Sequence, residues 1–67
     1  MNTDTQYRQQ LAEQITKIRQ ELKERQARLH YNIFAGVTKK SLDTQRKTIF
    51  ELEIQLFDLE YKYEHQL

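Results

Sequence analysis

Gly36 is the one glycine of the chain and proline is absent, so 67 residues have a single obvious place to turn. A β-barrel or sandwich needs many turns, and nothing here supplies them. Two long helices on either side of residue 36 are the simplest alternative, and the fold class is expected to be all-α. A core of this size is only marginally stable without a staple. The usual staples are missing. There is no cysteine, which excludes a disulfide framework or a thiolate metal site, and the two histidines, His30 and His65, stand far apart in sequence. Helix packing and oligomerisation remain as sources of stability.

Helix 1 is expected over about residues 4–35. Thr3 followed by Gln6 makes a capping box, with Asp4 in the first turn complementing the helix dipole. Leu11, Ile15, Ile18, Leu22 and Leu29 then recur at alternating steps of four and three, and Arg8, Arg25 and Asn32 fill the other places of that stripe. Ala35 and Gly36 suit a helix C-terminus, because glycine takes the left-handed conformation that satisfies the last carbonyls. The turn is placed at residues 36–38. Thr38 is the expected cap of helix 2, with Val37 and Leu42 placed as a hydrophobic staple. Helix 2, about residues 39–66, repeats the stepping at Leu42, Gln45, Ile49, Leu52, Leu56, Leu59, Tyr63 and Gln66.

In an antiparallel hairpin, facing positions have a constant sum of residue numbers. Leu11 with Tyr63, Ile15 with Leu59, Ile18 with Leu56 and Leu22 with Leu52 all sum to 74, which places the midpoint at residue 37, beside the glycine. A heptad pattern also matches itself at sums shifted by seven, but such shifts either strand unpaired residues or leave none for the turn. The expectation is one domain over 1–67, an antiparallel two-helix coiled-coil hairpin. In this register Arg25 faces Ile49, Leu29 faces Gln45 and Asn32 faces Leu42, so the turn half is the softer half. Those polar groups either fix the register or snorkel at the edge of a thin seam.

Helix 2 carries a second apolar stripe. At 100° per residue, Phe50, Ile54, Phe57 and Tyr61 occupy one arc about 145° from the arc of Ile49, Leu52, Leu56, Leu59 and Tyr63. Helix 1 can cover only one of the two. The other would leave a patch of several hundred Å², near or above what soluble monomers expose. The chain is therefore expected to be a homo-oligomer, with a dimer in the form of a four-helix bundle the economical solution, or to dock a different protein. Tyr31 and Phe34, on the outer side of the last turns of helix 1, either add to the contact or cap the loop. The expected function is a non-enzymatic protein-protein interaction module: a small adaptor, inhibitor or chaperone-like assembly factor.

Charge is uneven although the net is only +1. From Arg25 to Lys47 the chain carries Arg25, Arg28, Lys39, Lys40, Arg46 and Lys47 against Asp43 alone, whereas from Glu51 onward Glu51, Glu53, Asp58, Glu60 and Glu64 oppose only Lys62. The basic turn end supports an alternative function, a nucleic-acid-associated regulator that holds phosphates there. No recognition-helix turn, RNA-binding motif or glycine loop accompanies it.

Catalysis needs convergent groups in a sheltered pocket, and no Ser, His and carboxylate constellation is visible. Tyr61 with His65, and Glu60 with Glu64, are spaced as ordinary neighbours on a helix surface. A metal bound by Glu64 and His65 would need a second chain to complete its coordination, so neither a metal nor another cofactor is expected. No stretch is apolar enough to span a membrane and no signal-peptide pattern opens the sequence, which makes the cytoplasm the expected location.

Overall fold

The computed structural model describes residues 3–65, with side chains described from Thr5 onward. Two helices, α1 (Thr3–Phe34) and α2 (Lys39–Glu64), pack against each other as a hairpin. The Cα envelope is a rod of 54 × 15 × 12 Å, close to the ~48 Å that 32 helical residues span at 1.5 Å each.

Backbone chemistry explains why the chain turns where it does. Gly36 has φ +78°, in the left-handed region. Its N–H donates to Ile33 O at 3.4 Å, and the N–H of Val37 donates to Asn32 O at 3.2 Å. These two bonds form a Schellman motif, which satisfies carbonyls that the end of α1 would otherwise leave bare. Thr38 follows in an extended conformation (φ −60°, ψ 152°), and its hydroxyl oxygen accepts from the Ser41 N–H at 3.3 Å. That is an N-cap, and Leu42 N–H donates to Thr38 O at 3.0 Å to begin α2. The expected staple residues Val37 and Leu42 are both half-buried.

The element bounds differ slightly from expectation. Helix α1 stops at Phe34, so the connection covers residues 35–38. Helix α2 ends at Glu64, where the His65 N–H donates to Tyr61 O at 3.0 Å. The capping box of Thr3 with Gln6 and the dipole role of Asp4 depend on side chains outside the described residues, and the seam position of Gln66 also lies outside them.

The core is the predicted seam. Leu11, Ile15, Leu22 and Ile49 are buried, while Ile18, Leu29, Leu42, Leu52, Leu56, Leu59 and Tyr63 are half-buried. Two helices alone can cover each other on one side only, so no described side chain is wholly enclosed. Contacts across the seam bracket the expected register. The Arg8 guanidinium lies 4.5 Å from the centroid of the Tyr63 ring, Asn32 bonds Gln45, and Arg19 pairs with Glu60. Their residue sums are 71, 77 and 79, on either side of 74.

One detail of the soft half needs correction. Asn32 does not merely oppose Leu42: its Nδ2 donates to Gln45 Oε1 at 3.0 Å, and Gln45 Nε2 donates onward to Ser41 Oγ at 3.4 Å. The polar groups near the turn thus have partners within the hairpin. Arg25 behaves differently, with its Nε donating to Glu21 Oε2 at 3.0 Å on its own helix, so its charge stays at the edge of the seam.

Candidate functional site

Helix α2 presents two apolar faces because its sequence repeats the same three-four stepping in two phases. The phase through Ile49, Leu52, Leu56 and Leu59 meets α1. The other is left outside: Phe50 is 61% exposed, Ile54 54%, Phe57 72% and Tyr61 55%. These four lie within roughly a 60° arc, so they line one continuous strip along three turns of helix. Three of them are aromatic, a composition typical of contact surfaces.

The strip has a distinct electrostatic frame. Arg46 and Lys47 stand beside its turn-proximal end, and Glu51, Glu53, Asp58, Glu60, Lys62 and Glu64 flank the rest. Several of these charges already have partners on the hairpin. Arg46 Nη1 lies 3.4 Å from Asp43 Oδ1, Lys62 Nζ lies 3.1 Å from Asp58 Oδ2, and Glu60 reaches Arg19 on α1. At the far end the His65 ring stacks on Tyr61, with centroids 4.0 Å apart and planes 22° from parallel. His65 Nδ1 sits 2.8 Å from the Tyr61 carbonyl, which can only accept, so this nitrogen carries the hydrogen. The spacing of Tyr61 and His65 thus produces a stacked pair that extends the aromatic surface by one ring.

Tyr31 and Phe34 are strongly exposed, Phe34 at 90%. Counting 100° per residue, they point roughly 150° to either side of the α1 seam, on the face turned away from α2. They are therefore separated from the strip by the width of the hairpin. Sequence reasoning passed over Ile33 and Tyr7, which are also exposed apolar residues. Both lie in the phase of the α1 seam, each next to a polar residue, Arg8 or Asn32, that takes the contact to α2.

The basic residues divide into two groups. Lys39, Lys40 and Lys47 surround a shallow hollow shared with Asp43 and Thr44, and Arg25 and Arg28 border a different groove with Gln45 and Ile49. Arg46 is tied to Asp43. The turn end is basic as expected, but its charges do not converge on one point.

Other shallow hollows lie along the inter-helix grooves, one of them lined by Ile15, Arg19, Glu60 and Tyr63, and a further one is formed by α1 alone around Ala12, Glu13 and Thr16. Among the described residues there is no group of three or more His, Cys, Asp or Glu side chains placed to hold a metal ion. Nor is any helix among them long and apolar enough to cross a membrane. Comparison of the chain with protein-family models, with curated proteins and with solved structures gives no match.

Proposed function

We propose that this chain is a non-enzymatic protein-protein interaction module that works through the outer strip of α2, with a second copy of itself as the first partner. The observation that carries the reading is the exposure of Phe50, Ile54, Phe57 and Tyr61 on a helix whose other apolar face is already covered by α1. Burying about 300 Å² of such surface contributes roughly 7 kcal/mol before entropic costs, which is comparable with the whole stability of a small domain. Because the strip lies about 145° from the seam, joining two strips places the four helices in a shallow layer, α1, α2, α2 and α1, rather than a square bundle. An adaptor, inhibitor or assembly factor of this kind would dissociate or exchange its copies to bind a client helix on the same strip.

Light scattering coupled to size exclusion tests the reading. The chain should run at twice its 8.2 kDa mass at micromolar concentration, and Phe57→Asp should return it to the monomer. A wild-type monomer that captures no helical partner, or a dimer indifferent to Phe57→Asp, would refute it.

The hollow formed by Lys39, Lys40, Thr44 and Lys47 favours a second reading, in which the turn end holds the phosphates of a nucleic acid. The two surfaces lie at different levels of the rod, so the readings are separable by mutation.

A further inference from the structure

We propose that the hairpin tip is a contact surface for an anionic lipid bilayer, met end-on, with Phe34 as an apolar wedge and Arg28, Lys39 and Lys40 as a cationic collar. From Leu29 to Thr38 the chain carries no Asp, Glu, Lys or Arg, its longest such stretch, and this stretch contains the whole turn. Within it, Ile33, Phe34, Ala35, Gly36 and Val37 have no polar side chain at all. Tyr31, Ile33 and Phe34 are exposed and Val37 is half-buried, so the end of the rod is an apolar surface with nothing of the hairpin folded over it. The backbone suits removal from water too. The N–H groups of Ala35, Gly36 and Val37 donate in turn to Tyr31, Ile33 and Asn32, so none of these three needs a solvent partner.

Charge selects the partner. Between Glu24 and Asp43 there is no acidic residue, whereas Arg25, Arg28, Lys39 and Lys40 all fall there. Arg25 is tied to Glu21, and Asp43 to Arg46. Among the described residues Arg28, Lys39, Lys40 and Lys47 have no ion pair, and all four are exposed. Arg28 borders the inter-helix groove, while the lysines ring a hollow on α2. Such a division is poor for holding one phosphate, but it places cations on different sides of the tip, as a plane of headgroups requires. Arg28 lies six residues before Phe34, roughly 9 Å of helix, and Lys39 and Lys40 open α2. With the ring at the acyl boundary, some 5–10 Å deep, these cations stand at the level of the headgroups.

The same charges decide how the rod stands. Phe34 and Tyr31 lie on the flank of α1 turned away from α2, and the lysine hollow lies on α2, so an end-on approach brings both to one plane. Lying along the strip would instead press Glu51, Glu53 and Asp58 against anionic headgroups. Held end-on, Glu51 is roughly 18 Å of helix beyond Lys39, more than twice the ~8 Å over which charge is felt at physiological salt. The bilayer contact and the strip are therefore separate surfaces.

Vesicles of phosphatidylcholine with about 30% phosphatidylserine provide the test, beside vesicles of phosphatidylcholine alone. The full chain should sediment with the first and not the second, and high salt should release it. Lys39→Gln with Lys40→Gln should weaken binding roughly fivefold per cation removed, and Phe34→Ser roughly tenfold or more. These side chains are exposed, so helix content by circular dichroism should be unchanged. Because the sequence holds no tryptophan, Phe34→Trp is a clean reporter, and its emission should move to the blue on the anionic vesicles. Phe57→Trp, in the strip, should not respond to them. Failure to bind the anionic vesicles, equal binding to both kinds, or binding indifferent to Phe34→Ser overturns the proposal. A blue shift at Phe57→Trp in place of Phe34→Trp overturns it in favour of the strip, and retention on DNA or RNA without vesicle binding overturns it in favour of nucleic acid.

Discussion

Asn32 and Gln45 satisfy each other across the hairpin, with the Asn32 amide donating to Gln45 Oε1 at 3.0 Å. Both are half-buried, and the bond sits one layer from the turn, where the seam is otherwise weakest. Asn32→Ala removes the donor and leaves the Gln45 carbonyl facing a methyl group, at an expected cost of about 1 kcal/mol in urea unfolding. Replacing both residues by leucine should recover or exceed the original stability, because a well-packed apolar pair avoids the desolvation of two amides. A double variant weaker than either single one would mean the amides do more than fill a register position.

Gly36→Ala isolates the backbone term at the turn. Nothing lies within 4 Å of where its Cβ would stand, so there is neither a clash nor a packing gain, only the cost of holding φ at +78°. A loss of about 1–2 kcal/mol is expected at fixed chain concentration, with Gly36→Asn milder, since asparagine tolerates the left-handed region. Equal stability for the alanine variant would show that the Schellman turn is not retained in solution.

Arg19 and Glu60 form the one ion pair between the two helices among those described. The Arg19 side chain is 64% exposed, so water and salt screen the attraction. Arg19→Gln should therefore cost no more than about 0.2–1 kcal/mol at low ionic strength, with the difference vanishing in roughly 1 M salt. Thermal unfolding in low and high salt measures it, and a salt-independent loss would point to packing by the arginine stem instead.

Lys39→Glu combined with Lys40→Glu tests the basic turn. Retention on immobilised DNA or RNA should fall, and the salt dependence of any binding should flatten, since fewer counterions are released. Dimer mass should not change, because both positions lie beyond the strip. Binding that resists the double substitution would place any phosphate contact elsewhere.

The seam, the turn and the cap of α2 were all legible in the sequence, and for one reason. A single glycine fixes the midpoint, and two stripes of the same period then have one register that leaves room to turn. The diagonal pairs were not legible. Asn32 with Gln45 and Arg19 with Glu60 sum to 77 and 79, and Arg8 with Tyr63 to 71, on either side of the expected 74. Long polar side chains reach a layer along the seam, and matching of facing positions does not register that reach. The candidate strip was equally plain, since Phe50, Ile54, Phe57 and Tyr61 are out of phase with the seam. The division of the basic residues between two hollows was not, because a count of charges along the chain ignores which side of which helix each one occupies.

The strip stops at Phe50, fourteen residues or roughly 20 Å of helix short of the glycine turn. Whatever molecule lies on it therefore leaves the hairpin tip, with its lysines and the protruding Phe34 ring, free to engage something else.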